Sequence, residues 1–166
     1  GKVKHQKPCN QIKGTFVSVK DLFFATPARL NFLKSENYES LVIKKTVQKL
    51  ALANLHVEFN LTLNSNNALS TGKNTDDFWD SLKVRISNVL GKNFLENVIR
   101  IDEKYEDFHL KGFLGIPTFH HSNTSNQFFF VNRRVITDRT INSIFKVAYR
   151  DFQAYDRFPQ LILFID

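Results

Sequence analysis

Residues 128–149 read FFFVNRRVITDRTINSIFKVAY, and this stretch predicts two short strands joined by a polar turn and followed by a helix. The apolar residues on both sides of the Asn132–Arg133 pair are typical of a hairpin with a two-residue turn. Helical spacing of apolar residues then begins near residue 138 and continues to about residue 153. The stretch therefore predicts a strand, a turn, a strand and an amphipathic helix in direct succession.

The two sides of the predicted helix at 138–153 differ in character. Its apolar stripe consists of Ile141, Ile144, Phe145, Ala148 and Phe152. Its opposite side carries cations at spacings of seven and four residues, namely Arg139, Lys146 and Arg150. Cations on one exposed face can neutralise phosphates and release counterions, so this face is a candidate for sequence-independent binding to the DNA backbone. The alternative is an ordinary solvated helix surface.

A second informative stretch, GTFVSVKDLFFATPARLNFLKS, occupies residues 14–35. Alternation of side chains over residues 14–20 predicts a strand. Thr26 suits the N-cap of a helix, and Pro27 suits its first position because the missing N–H group has no partner to lose there. We therefore expect a strand followed by a short helix that ends near Lys34.

Further elements are predicted between and after these two stretches. Apolar spacing indicates helices at about 38–54 and 79–90, the second closed by Gly91, and alternation indicates a strand at 57–63. Residues 64–76 are polar and predict a flexible loop, whereas 98–104 and 108–115 predict a hairpin. The unbroken apolar run LILFI at 161–165 predicts a strand covered on both faces.

Composition limits the classes of function. The chain has 166 residues, of which 42% are hydrophobic, and a formal net charge of +7, which makes an anionic partner such as nucleic acid plausible. It contains neither an apolar run of about 18 residues nor a signal peptide, so we expect no membrane association. Cys9 is the single cysteine and reads as an ordinary residue. With no methionine and an end inside a strand, the chain is predicted to be a piece of a longer protein.

No metal site is predicted from the titratable residues. His120 and His121 are adjacent and lack a carboxylate at ligand spacing, so we interpret them as loop residues. Asp76, Asp77 and Asp80 fit the amino end of a helix, where the macrodipole favours negative charge.

Together the two quoted stretches resemble the MutL family of DNA mismatch repair ATPases. Residues 14–35 are similar to its Gly-Thr, Asp-Leu-Phe and Thr-Pro-Ala-Arg segment, and residues 128–149 to its Phe-Val-Asn-Gly-Arg segment and the following helix. The resemblance implies an α+β fold: residues 1–55 as the tail of a GHKL-type ATPase domain, and 56–166 as a transducer domain. That transducer domain would be of the kind found in domain 2 of ribosomal protein S-five, with a left-handed βαβ crossover.

The resemblance also implies a function for the intact protein. ATP and Mg would be used there, but the family's catalytic Glu, magnesium-binding Asn and glycine-rich lid motifs do not occur in this chain, so the chain itself is expected to have no catalysis. The partners implied are DNA, a MutS-type mismatch recognition protein and, with ATP bound, a second copy in a homodimer. A bacterial, cytoplasmic location is implied. The alternatives are a transducer domain of another GHKL ATPase such as gyrase B, or a domain with its own hydrolytic activity.

Specific residues follow from the same resemblance. Thr15 matches a threonine next to the nucleotide, and Arg134 matches the turn arginine associated with DNA contact, with Arg133 adding a second charge. Arg133 departs from the family, which usually has Gly at this position. In a type I′ turn it would cost on the order of 1 kcal/mol or force a wider loop.

Overall fold

The computed structural model describes residues 6–7, 10, 13–72 and 76–166. Cys9 lies outside the described residues. The chain divides into two compact units, Gly1–Ser35 and Glu36–Asp166. The prediction of domains at 1–55 and 56–166 concerns the family's domains and stays a prediction.

The first unit contains a short 3₁₀ helix, Pro27–Phe32, with Thr26 as its N-cap and Pro27 in its first turn, as predicted. The predicted strand at 14–20 was wrong, because residues 15–20 have no regular structure. A strand exists only when a neighbouring strand accepts its backbone hydrogen bonds, and alternation in sequence does not supply that neighbour. Phe16, Val17 and Val19 are all largely exposed.

The second unit is built around a five-stranded sheet. Its elements in chain order are α1 (Glu36–Ala53), β1 (Asn60–Leu63), β2 (Asn66–Ser70), α2 (Phe78–Leu90), α3 (Lys92–Glu96), β3 (Val98–Lys104), β4 (His109–Gly115), β5 (His120–His121), β6 (Gln127–Val131), β7 (Arg134–Ile136), α4 (Arg139–Ala148), β8 (Phe158–Pro159) and β9 (Leu161–Ile165). The strand order is β3-β4-β9-β6-β7, and only the β6–β9 pair is parallel. The parallel pair is connected through α4, so the sheet is mixed and the predicted α+β class is confirmed.

The central strand β9 is covered on both faces, as its unbroken apolar run predicted. Ile162 and Phe164 join the core formed with α1 and α2. Leu161 and Leu163 pack in a second cluster, which includes Ile141 and Phe145 of α4. The helices α1 and α2 therefore lie against one face of the sheet and α4 lies against the other.

Three local predictions need correction. The flexible loop predicted at 64–76 is wrong for residues 64–70, since β1 and β2 form a hairpin around Asn64 and Ser65, which have φ of 49° and 64°; residues 73–75 lie outside the described residues. His120 and His121 form β5, which pairs with β8, instead of a loop. The helix predicted at 138–153 ends at Ala148.

The predicted apolar stripe of α4 is also only partly correct. Ile141 and Phe145 pack against the sheet, whereas Ile144 is exposed and Phe152 lies beyond the end of the helix and is exposed. The part of the stripe that contacts the sheet is therefore one helical turn long, from Ile141 to Phe145. The rest of its apolar surface faces solvent.

Candidate nucleic-acid interface

The turn between β6 and β7 is tight although it carries an arginine where glycine is usual. Asn132 and Arg133 have φ of 48° and 64°, which are the two positive values of a type I′ turn. The pairing of Val131 with Arg134 closes the hairpin directly around these two residues. The wider loop is therefore not formed, and Arg133 adopts a left-handed conformation that is unfavourable for a residue with a Cβ.

The alternation of β7 fixes the side on which Arg134 lies. Arg134 and Ile136 are two residues apart and so point to the same face of the sheet. Ile136 packs in the cluster that contains Ile141 and Phe145, so this is the face covered by α4. Arg134 is exposed and begins the edge strand, on the same side of the sheet as α4.

Arg133 has a different environment. It lines a cavity of about 250 Å³ together with Lys111 and the carboxylates of Asp76, Asp77 and Asp166. The Nζ of Lys111 lies 2.6 Å from Oδ2 of Asp166. Acidic and basic groups are mixed around Arg133, so its surroundings are less favourable to a phosphate than those of Arg134.

The start of α4 is fixed by a side-chain cap. Asp138 is the N-cap, and its Oδ1 accepts hydrogen bonds from the backbone N–H groups of Thr140 at 2.7 Å and Ile141 at 3.0 Å. The hydrogen bond from the N–H of Ile141, followed by that of Thr140, lowers the pKa of the Asp138 carboxyl. Arg139 is the first residue of the helix and is exposed, so it presents its guanidinium at the amino end of α4.

Lys146 and Arg150 do not lie on one exposed helical face as predicted. Lys146 is half-buried, with its Nζ 3.7 Å from the ring centroid of Tyr155 and 5.9 Å from that of Phe158. Arg150 lies beyond the end of α4 and pairs with Asp151 at 3.3 Å. The lysine is turned toward aromatic rings because the chain after α4 folds back beside it, which helical periodicity cannot predict.

The structure nevertheless brings Lys146 and Arg150 together at one cavity of about 270 Å³. Arg157 lines the same cavity and was missed by the sequence reasoning. The segment AYDRF at 154–158 offered only a weak signal, an aromatic residue two positions before a cation. The five predicted cations are thus distributed over the hairpin turn, the start of α4 and the segment that follows it.

Thr15 is exposed in a segment of the first unit that has no regular secondary structure, next to Gly14 with φ of 106°. In the described part of the chain, no group of three or more His, Cys, Asp or Glu side chains is placed to hold a metal ion.

Comparison with known proteins gives a consistent result. Residues 86–166 match the family described as "DNA mismatch repair protein, C-terminal domain". The chain is 39% identical over 153 residues to the DNA mismatch repair protein MutL of Rickettsia canadensis, covering 92% of this chain and 25% of that protein. It is 41% identical over 165 residues to MutL of Rhizobium rhizogenes, covering 99% of this chain and 27% of that protein.

Solved structures support the fold. The Aquifex aeolicus MutL ATPase domain complexed with ADP has a TM-score of 0.65 and 23% identity, covering 89% of this chain and 50% of that one. The N-terminal domain of a DNA repair protein has a TM-score of 0.70 and 23% identity, covering 87% of this chain and 47% of that one. None of the described helices is long and apolar enough to cross a membrane.

The chain spans about a quarter of the length of the curated relatives that it matches. Over nearly all of its own length it is similar to them in sequence, and its α+β fold matches that of about half of the solved MutL ATPase-domain chain. This chain therefore belongs to the MutL family of DNA mismatch repair proteins.

Proposed function

We propose that this region couples ATP binding and hydrolysis in the intact protein to sequence-independent DNA binding and partner recruitment during mismatch repair. The observation that carries the proposal is the position of Arg134, exposed at the edge of the sheet on the side covered by α4. A charge there can meet a phosphate while the rest of the hairpin stays packed in the core. The parallel β6–β9 pair makes the turn a rigid extension of the central sheet.

The DNA surface of the proposal consists of Arg133, Arg134, Arg139, Lys146 and Arg150. Arg134 and Arg139 are exposed, and the hairpin turn and the amino end of α4 are separated by only a few residues of chain. Guanidinium groups at these places recognise phosphate oxygens without reading bases. Duplex binding should therefore be weak, indifferent to sequence and strongly weakened by salt.

The test is a double charge reversal, Arg134→Glu with Arg139→Glu. Neither side chain belongs to the hydrophobic core, so the fold should be retained. Affinity should fall equally for duplexes of different sequence, and the slope of log affinity against log salt should become shallower by about 0.9 per lost phosphate contact. Fluorescence anisotropy over a salt series measures both quantities.

The matched control is Lys92→Glu with Lys104→Glu. Both lysines are exposed, and Lys104 ends β3, at the opposite edge of the sheet from β7. Each reversal changes the charge by two, so both double variants fall from +7 to +3. Equal losses in the two variants would mean that net charge alone attracts DNA, and the proposed surface would be abandoned.

For the intact protein we propose the use of ATP and Mg, with Thr15 next to the nucleotide, together with a MutS-type partner and a homodimer in the ATP-bound form. A bacterial cytoplasmic location fits this role. The 166-residue chain alone should not hydrolyse ATP. The contrary result would be magnesium-dependent ATP hydrolysis that copurifies with the chain and is abolished by a substitution in the chain. That result would favour an independent hydrolytic activity instead.

A further inference from the structure

The cavity of about 270 Å³ after α4 combines an apolar interior with positive charge. Val147 and Ala154 contribute apolar surface, and Lys146, Arg150 and Arg157 contribute the charged groups. Among the described residues, no carboxylate lines this cavity. Sites for drug-sized ligands are usually about 300–1,000 Å³, so this cavity suits one flat ring system better than an extended molecule.

Tyr155 supplies an aromatic surface at the cavity. Its side chain is 82% exposed although it lines the cavity wall. The Nζ of Lys146 lies 3.7 Å from the ring centroid, and this cation–π contact restrains the ring. Because Tyr155 is 82% exposed despite this contact, much of its ring surface stays accessible to a stacking partner at the mouth of the cavity.

The segment that carries Tyr155 is tethered to the sheet. The hydroxyl of Tyr149 donates a hydrogen bond to the carbonyl oxygen of Gly115 at 2.6 Å. The Nε2 of Gln153 donates to the carbonyl oxygen of Pro117 at 2.8 Å. These two bonds hold the end of α4 against Gly115 at the end of β4, and the following turn against Pro117 just after it, so the cavity is formed before a ligand arrives.

Two carboxylates lie near the cavity cations without lining the cavity. Asp151 pairs with Arg150 at 3.3 Å, and Asp156 pairs with Arg157 at 3.7 Å. Both are pairs of sequence neighbours whose side chains reach solvent, with Arg157 the most buried of the four, and such pairs are weak and screened by salt. A phosphate can therefore replace either carboxylate at little cost.

From these features we infer that the cavity binds one unpaired base of a single-stranded nucleic acid, stacked on Tyr155, with the flanking phosphates at Arg150 and Arg157. Base stacking on an aromatic ring combined with nearby cations is the general mode of single-strand binding without sequence preference. The inference rests on the proposed DNA-binding function: the cavity shares Lys146 and Arg150 with the proposed DNA surface and adds a stacking contact at Tyr155.

The test compares two single strands that differ only in their bases. The 166-residue chain is titrated into a labelled oligothymidylate and into a strand of equal length whose sugars carry no bases. Tyr155→Ala should weaken binding to oligothymidylate by about tenfold and leave binding to the abasic strand unchanged. Tyr155→Phe should retain the wild-type affinities, because the ring persists.

Two further variants separate stacking from other effects. Tyr155→Leu keeps apolar surface but has no aromatic face, so it should behave as Tyr155→Ala does. Tyr105→Ala removes an exposed tyrosine at the β3–β4 turn, where it stacks on Phe108, and it should change neither affinity. Circular dichroism establishes that each variant is folded.

An equal loss on both strands, or no loss on either, would overturn the inference. So would preferential displacement of oligothymidylate by an acidic peptide that binds through Tyr155, which would identify a protein partner instead. Failure of the proposed function would be seen in a different measurement, as an absence of duplex binding. In that case, a preference for oligothymidylate over the abasic strand that depends on Tyr155 would still support the stacking site.

Discussion

Arg85 on α2 donates a hydrogen bond from Nη1 to Oγ1 of Thr71, just after β2, at 2.6 Å. The guanidinium is fully buried, and its Nη2 also donates to the carbonyl oxygens of Leu55 at 2.8 Å and Val57 at 2.7 Å. Burial lowers the pKa of Arg85, and the charge of Glu58 opposes that shift. One buried cation thus joins α2 to the segment after α1 and to the β1–β2 hairpin.

Replacing this cation should be strongly destabilising. Arg85→Met keeps an aliphatic stem but leaves the two carbonyl groups and the Thr71 hydroxyl without their donor, which should cost about 3 kcal/mol of unfolding free energy. Urea unfolding of the wild type and the variant measures this loss of unfolding free energy. Lys83→Met on the same helix is the control, because Lys83 is exposed and its pair with Asp80 should contribute little.

A double-mutant cycle isolates the Arg85–Thr71 hydrogen bond. Thr71→Val also removes the bond that the Thr71 hydroxyl accepts from the N–H of Phe59 at 2.7 Å, so it destabilises by itself. The two effects should be non-additive by about 1–3 kcal/mol, since the residues are in direct contact. Strict additivity would show that the hydrogen bond contributes nothing.

Gly112 in β4 should not tolerate a side chain. A Cβ at this residue would lie 2.0 Å from the carbonyl oxygen of Ile162 in β9, and its φ is +148°. Since the obstacle is backbone, Gly112→Ala should lower the unfolding free energy by about 2 kcal/mol or more. Gly72→Ala is the control, because no atom of the described residues lies within 4 Å of a Cβ there. Similar thermal midpoints for the two variants would contradict the close approach at Gly112.

Arg133 should carry a measurable conformational cost. Arg133→Gly relieves a left-handed conformation worth about 1–2 kcal/mol, partly offset by the greater freedom of glycine in the unfolded chain. We expect a net stabilisation of roughly 0.5–1 kcal/mol in denaturant unfolding. Asn132→Gly should stabilise the protein less, since asparagine tolerates positive φ. An equal gain in unfolding free energy for both variants would argue against strain specific to Arg133.

The cap of α4 should be sensitive to acid. The pKa of Asp138 is lowered in the folded protein, so the contribution of its carboxylate to stability is fully present above the pKa of an unfolded aspartate, about 3.9. It is lost as the pH falls through the lower folded pKa. The stability difference between the wild type and Asp138→Asn should therefore shrink below about pH 4, as followed by thermal unfolding. A difference that is constant with pH would show that the carboxylate charge has no role.

The sequence alone determined the elements whose signals are local. The turn at Asn132–Arg133, the end of α2 at Gly91, the β3–β4 hairpin and the buried run at 161–165 were predictable, because each depends on residues adjacent in the chain. The family resemblance likewise resided in short motifs. Of the candidate site, the exposed positions of Arg134 and Arg139 were predictable on the same basis.

Tertiary structure alone decided the features that need a distant partner. Residues 15–20 alternate but form no strand, whereas residues 66–70, which lie in a mostly polar stretch, form β2 because β1 pairs with them. A charged residue such as Arg85 becomes a core residue only where carbonyl groups from other elements converge on it. Lys146 contacts Tyr155 because the chain turns back after α4, and periodicity within a helix contains no information about the path that follows it.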